Sequence, residues 1–157
     1  MQNLIQLIYI SRATFPSTPS MRGLEPHVAR ILAKSRANNR HAGLTGVLYF
    51  GDGCFFQCLE GDAAAVESLY AKLKLDDRHT DVTLISNKAI SRYAFSDWSM
   101  KYVVIEKAIE RLLHERGYTS FGPYLFDPEM TQALLDILKV TNESGGPVEP
   151  LPQENKP

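Results

Sequence analysis

Apolar and polar positions along this chain follow two rhythms, and together they predict a strand, a helix, two strands, a helix, two strands and two final helices. Leu4 to Ser11 is rich in Leu and Ile at successive positions, as in a strand covered on both faces. The Pro, Ser and Thr residues between Phe15 and Ser20 read as a loop. Leu24, Val28, Ile31 and Leu32 recur at helical spacing, and Pro26 is tolerable in a first turn. That helix is expected to end near Asn38 and Asn39, before Gly43.

Thr45 to Phe50 and Cys54 to Glu60 are two β-rich runs joined by Gly51-Asp52-Gly53, a hairpin signal. Gly61-Asp62 is expected to end the second run, with Asp62 as the N-cap of a helix striped by Val66, Leu69, Tyr70 and Leu73. Val82 to Ser86 and Asp97 to Val103 supply two more strands. Ile105, Ile109, Leu112 and Leu113 mark a third helix closed by Gly117, and Asp127-Pro128 opens a fourth with Met130, Leu134, Ile137 and Leu138.

The fold class that follows is α+β, a ferredoxin-like βαββαββ sheet with two helices on one face. The two C-terminal helices are too short to stand alone in water and are expected to cap the other face. The expected organisation is a core domain over residues 1–104, a two-helix extension over 105–140 and a disordered tail over 141–157. The loop Tyr118 to Phe126 carries four aromatic rings, which serve either packing or contact with another protein.

Composition narrows the function classes. A chain of 157 residues with formal net charge −1 has no electrostatic footprint for nucleic acid or an anionic membrane. No apolar run approaches the roughly 18 residues of a spanning helix, and the N-terminus lacks the basic flank of a signal peptide. Cys54 and Cys58 share one face of a strand, too far apart to bridge, and no zinc spacing accompanies them. A cytoplasmic protein with reduced thiols is the expectation. Nucleophile motifs, glycine-rich phosphate loops and paired carboxylates are missing from the sequence, so enzyme chemistry is not expected.

Three polar residues stand where a plain core would be apolar. Tyr9 ends the first strand on the face of Ile5 and Leu7, Gln57 lies mid-strand among apolar neighbours, and Asn39 ends the first helix. Each alone reads as structural: a core tyrosine, a satisfied carboxamide, a helix-terminal residue. In a ferredoxin-like sheet, however, the first and third strands are central neighbours, so Tyr9 and Gln57 can touch. A flat heterocycle between the two helices would then meet donors and acceptors along one edge.

At these residues the chain resembles the BLUF family. Asn38-Asn39-Arg40-His41-Ala42-Gly43-Leu44-Thr45-Gly46-Val47-Leu48 resembles its paired asparagines and helix-to-strand turn, and Phe55-Phe56-Gln57-Cys58-Leu59-Glu60-Gly61 its glutamine strand. Asp76-Asp77-Arg78-His79 resembles the segment after its second helix, and Phe95-Ser96-Asp97-Trp98-Ser99-Met100 its Trp-x-Met. With the Tyr9 strand, the resemblance covers about residues 3 to 104.

The resemblance implies a blue-light photoreceptor that binds FAD noncovalently (FMN or riboflavin being alternatives) between the two helices. It implies that Tyr9 donates to Gln57, that Gln57 and Asn39 bond the flavin edge, and that light moves an electron and a proton from Tyr9. Gln57 then rotates or tautomerises, giving a reversible red-shifted state. Trp98 or Met100 is implied to carry the change onward. Asn38, Lys72, Asp76, Arg78 and His79 are the further cofactor-contacting candidates, with Ser11 tuning the site. For Lys72 and Arg78 a solvated charge, and for Asp76 a helix stop, is the plain alternative. Similarity to the short members of the family implies a separate downstream protein bound in a light-dependent way, with a homo-oligomer possible. Two rivals remain: a hydrolase on the same fold, and a ferredoxin-like small-molecule-binding or interaction module without photochemistry.

Overall fold

In the computed structural model, residues 3–15, 26–95, 100–103 and 107–140 are described. The strands are β1 (Leu4–Ala13), β2 (Thr45–Gly51), β3 (Cys54–Asp62), β4 (His79–Ala89) and β5 (Lys101–Val103). The helices are α1 (Pro26–Ala42), α2 (Ala63–Leu73), α3 (Lys107–Glu115) and α4 (Pro128–Val140), with one 3-10 turn at Pro123–Leu125. The sheet order is β4-β1-β3-β2-β5, antiparallel except for the parallel β2–β5 pair. This is the expected ferredoxin-like arrangement, with β1 and β3 as central neighbours.

The sheet separates two apolar cores, because successive side chains on a strand project to opposite faces. On one face Ile5, Leu7, Tyr9, Leu48, Phe55 and Leu59 meet Val28 and Leu32 of α1 and Val66 of α2. On the other, Ile8, Ile10, Val47, Tyr49 and Phe56 meet Ile109, Leu112 and Leu113 of α3 and Met130, Leu134, Leu135 and Leu138 of α4. The two terminal helices thus cap the sheet, as their stripes predicted. Asp127 Oδ1 accepts from Met130 N at 2.8 Å and starts α4, while Gly117 takes φ +85° just beyond α3.

Several boundaries differ from expectation for identifiable reasons. Gly61 and Asp62 do not end β3: Gly61 at φ +155° carries the strand on, and Leu4 pairs with Asp62. Asp62 makes no side-chain cap, and the first amide of α2, at Ala63, donates to the Asn3 carbonyl at 2.8 Å instead. β4 runs well past Val82–Ser86 at both ends, because it is an edge strand paired along β1 from Ala13↔His79 to Ile5↔Ala89. Its exposed polar residues hide that length from a hydrophobicity reading. Asp81, at φ +54°, lies where the β1–β4 register shifts. The start expected for the last strand, Asp97 to Ser99, and the tail after Val140 lie outside the described residues.

The aromatic loop packs rather than projects. Phe121 is buried edge-on against Tyr49 at 4.7 Å and against Phe126 at 5.6 Å, and Tyr118 sits 5.0 Å from Phe126. Three contacts latch this loop to the sheet: Phe121 N donates to Asp52 Oδ2 at 2.7 Å, Tyr124 OH to the Asp81 carbonyl at 2.5 Å, and Arg12 lies over the Tyr124 ring at 4.1 Å.

Candidate functional site

Antiparallel pairing sets Tyr9 directly opposite Gln57 across β1 and β3. Both side chains project to the α1–α2 face and are 3% exposed, so each must find its hydrogen bonds inside the protein. The Tyr9 hydroxyl donates to Gln57 Oε1, and Gln57 Nε2 faces Met100 Sδ at 3.7 Å. Arg36 of α1 holds the other side of this contact, donating from Nε to the Met100 carbonyl at 3.0 Å. A line of polar contacts therefore runs Tyr9, Gln57, Met100, Arg36 between the sheet and α1.

Burial pushes the Tyr9 phenol far above the ordinary tyrosine range, with the negative charge of Asp76 and the nearby Tyr70 adding to the shift. Tyr9 is accordingly a neutral donor at any physiological pH. The Tyr70 ring lies 5.4 Å from it at a tilt of 47°. His79 approaches edge-on at 6.1 Å and is fixed by two bonds. Its Nε2 lies 2.5 Å from the Leu73 carbonyl, which can only accept, so Nε2 bears the hydrogen. In the neutral ring Nδ1 then accepts from the Ser11 hydroxyl at 2.8 Å.

Asp76 and Arg78 form a tight pair at the open end. Asp76 accepts from the Arg78 amide at 2.9 Å, from Nε at 3.0 Å and from Nη2 at 2.6 Å. These bonds hold its carboxyl down to about 2.

Between α1 and α2 opens a cleft lined by Ile31, Lys34, Ser35, Asn38 and Asn39 on one side and Leu69, Lys72 and Leu73 on the other. Gln57, Asp76 and Arg78 complete its wall. An adjoining pocket reaches Tyr9, Leu48, Phe55 and His79. Of the residues singled out in the sequence, Tyr9, Asn38, Asn39, Gln57, Lys72, Asp76, Arg78 and His79 all line this space. Ser11 does not, and its hydroxyl bonds His79 instead. Met100 meets the site through Gln57, and Trp98 lies outside the described residues.

Arg36 and Tyr70 were missed. Arg36 and Tyr70 look like ordinary members of amphipathic helices.

The lining suits a flat ring with an amide edge and a phosphate tail. Ile31, Leu69 and Leu73 offer apolar surface, the carboxamides of Asn38, Asn39 and Gln57 offer donors and acceptors, and Lys72 and Arg78 offer cations. Among the described residues no cluster of His, Cys, Asp or Glu could hold a metal ion, and no helix is long and apolar enough to cross a membrane.

Comparison with known proteins agrees with this geometry. The family model described as "BLUF: Sensors of blue-light using FAD" matches residues 4–101. The photoactivated adenylate cyclase subunit beta of Euglena gracilis is 28% identical over 130 residues, which are 78% of this chain and 15% of that protein. Subunit alpha of the same organism is 42% identical over 82 residues, 52% of this chain and 8% of that one. The chain therefore spans a small fraction of these curated relatives. Among solved structures, the ground state of BlsA superposes with TM-score 0.81 at 31% identity, covering 90% of this chain and 91% of that one. BlrB, a BLUF protein in its dark state, gives 0.71 at 26% identity, covering 88% and 97%. Family match, fold and the Tyr9–Gln57 pair at the floor of a two-helix cleft lead to one assignment: the chain belongs to the BLUF family of flavin-binding blue-light sensors.

Proposed function

We propose that this chain binds FAD noncovalently in the α1–α2 cleft and signals through the Gln57 amide to a separate protein, without chemistry of its own on a substrate. The observation that carries this is the buried relay from the Tyr9 hydroxyl to Gln57 and on to Met100.

Bound flavin supplies absorption of blue light and a place for one electron. Tyr9 is the donor, and its hydroxyl proton has an acceptor already in line at Gln57 Oε1. Burial keeps that proton on Tyr9 in darkness. Electron and proton both return to Tyr9 at the end of the light step, so no net oxidation remains. Gln57 can present either end of its carboxamide, by rotation or tautomerisation, and each arrangement satisfies a different set of neighbours. A rearranged Gln57 cannot keep both its acceptor on Tyr9 and its donor on Met100, so the change reaches Met100 and the main chain that Arg36 holds. Asn38 and Asn39, which line the cleft, would hold the ring edge, and Lys72 with the Asp76–Arg78 pair would hold the phosphate end.

The output surface in this reading is the exposed face of α3 and α4, beyond the second core. That a signal leaves the sensor at all is supported by the relatives, which are named as photoactivated adenylate cyclase subunits.

The test is a visible spectrum in darkness and again under blue light. A yellow protein whose flavin band moves slightly to the red and returns in darkness is expected, with FAD released on denaturation. A yellow protein with no such shift refutes the switch, and a colourless protein that takes up no added flavin refutes the site.

A further inference from the structure

We propose that Glu60 is a positioning residue of the light switch, anchoring the main chain at Ala94 and Phe95 so that Met100 returns to the Gln57 amide after each cycle. The inference rests on the Gln57 switch set out above.

Gln57 and Glu60 lie on the same strand with opposite parity, so they project to opposite faces of the sheet. Gln57 faces the cleft. Glu60 faces the cap and is 0% exposed. A carboxylate in such a place is costly unless donors surround it. Its Oε1 accepts from Thr45 Oγ1 at 3.3 Å, Ala94 N at 2.9 Å and Phe95 N at 3.0 Å. Its Oε2 accepts from Gln6 Nε2 at 2.9 Å and from Ala94 N at 3.0 Å. Gln6 and Thr45 belong to β1 and β2, rigid strands on either side of β3. The two amides belong to neither. They come from the chain after β4, which has no ladder partner there, and Glu60 ties that chain to the middle of the sheet.

Met100 stands further along the same stretch, and its contacts lie on the opposite face of the sheet, with Gln57 and Arg36. The stretch is thus held at one end by a group that rearranges and at the other by one that does not. A fixed far end limits how far Met100 can be displaced along the chain and sets the geometry to which the relay relaxes. Among the described residues Glu60 makes no hydrogen bond to Tyr9, Gln57 or the cleft lining, and its bonds to Ala94 and Phe95 give it a route through the main chain.

The test compares dark recovery in the full chain loaded with FAD. Glu60→Gln keeps the shape but replaces one accepting oxygen by an amide that cannot accept, which in either orientation takes from the Ala94 amide one of its two acceptors. The expected result is an unchanged dark spectrum and red shift, with recovery several-fold slower. Gln6→Leu removes a donor on the strand side only, and should recover at the wild-type rate. Wild-type recovery in Glu60→Gln overturns the proposal, as does equal slowing in Gln6→Leu, which would mark simple burial of the carboxylate. Should Glu60→Gln fail to fold, hydrogen exchange in the wild type decides: the Ala94 and Phe95 amides must stay equally protected in darkness and in continuous blue light. Loss of their protection in light overturns the anchor. A wild-type protein with no photocycle overturns the Gln57 switch and this inference with it, whereas a normal photocycle with unaffected Glu60→Gln kinetics overturns the anchor alone.

Discussion

Tyr9 and Gln57 are cross-strand partners in the β1–β3 ladder, and the Tyr9 hydroxyl donates to the Gln57 carboxamide. Register, not loop conformation, fixes this contact. A slip of one residue in either strand would turn one partner to the cap face. The reacting pair is therefore as rigid as the centre of the sheet, and the freedom left to it is rotation or tautomerisation of one amide.

Removal of either partner separates binding from switching. Tyr9→Phe and Gln57→Leu should both retain flavin, since the cleft lining persists, yet lose the light-induced red shift. Gln57→Leu leaves the buried Tyr9 hydroxyl without its acceptor, which costs about 1–3 kcal/mol. Light-minus-dark spectra and denaturant midpoints measure the two effects.

The raised Tyr9 phenol predicts a stability loss on the alkaline side only. An unfolded tyrosine releases its proton near pH 10, roughly, while the folded one keeps it. Above that pH the unfolded state binds fewer protons than the folded state, so stability falls as pH rises. Below it Tyr9 contributes no slope. Alkaline unfolding of the wild type should therefore be steeper than that of Tyr9→Phe.

Asp76 acts at the acid end. With its carboxyl held down to about 2 by Arg78, it favours the folded state above the ordinary aspartate range near pH 4, roughly, and loses that contribution as pH falls toward 2. Arg78→Ala should raise the Asp76 pKa and move the acid-unfolding midpoint upward. A carboxylate titration followed by NMR reads the first, and circular dichroism the second.

Lys72 lines the cleft beside the Asp76–Arg78 pair, where a phosphate would lie. Lys72→Ala should weaken FAD and FMN binding several-fold and leave riboflavin, which has no phosphate, almost unaffected. Titrations of the three flavins into apoprotein decide this, and equal weakening of all three would remove Lys72 from the phosphate end.

Gly46 faces Leu59 across the β2–β3 pair, where a methyl group would lie 2.1 Å from the Cys58 carbonyl oxygen. Backbone on both sides prevents relief by rotation of a side chain. Gly46→Ala should destabilise by more than about 2 kcal/mol, seen as a lower denaturant midpoint, with poor retention of flavin.

The elements, and Tyr9 and Gln57 in the cleft, were legible in the sequence because their signals are local: helical stripes, a Gly-Asp-Gly hairpin, and polar residues set in apolar strands. Asn38, Lys72, Asp76, Arg78 and His79 came only with the family resemblance, since a charged or amide side chain near a helix end has no distinctive local pattern. β4 was underestimated because an edge strand exposes both polar residues and apolar ones such as Leu84, which is 46% exposed. The partners of Glu60 were invisible for another reason. Gln6 lies 54 residues from it and Ala94 34 residues away, and the donors at residues 94 and 95 are main-chain amides, which every residue type but proline possesses. Arg36 likewise reaches a carbonyl 64 residues on. Side-chain identity predicts what a residue can offer. Only the topology says who receives it.

The match to the family ends at residue 101, whereas the sheet's second face is covered by α3 and α4, which begin at Lys107 and Pro128. Anyone grafting this sensor onto another protein would be tempted to cut at the end of the match. Such a fragment would carry a bare wall of Ile8, Ile10, Val47, Tyr49 and Phe56, and would clump or borrow a cover from its fusion partner. The portable unit is the photosensor together with its lid.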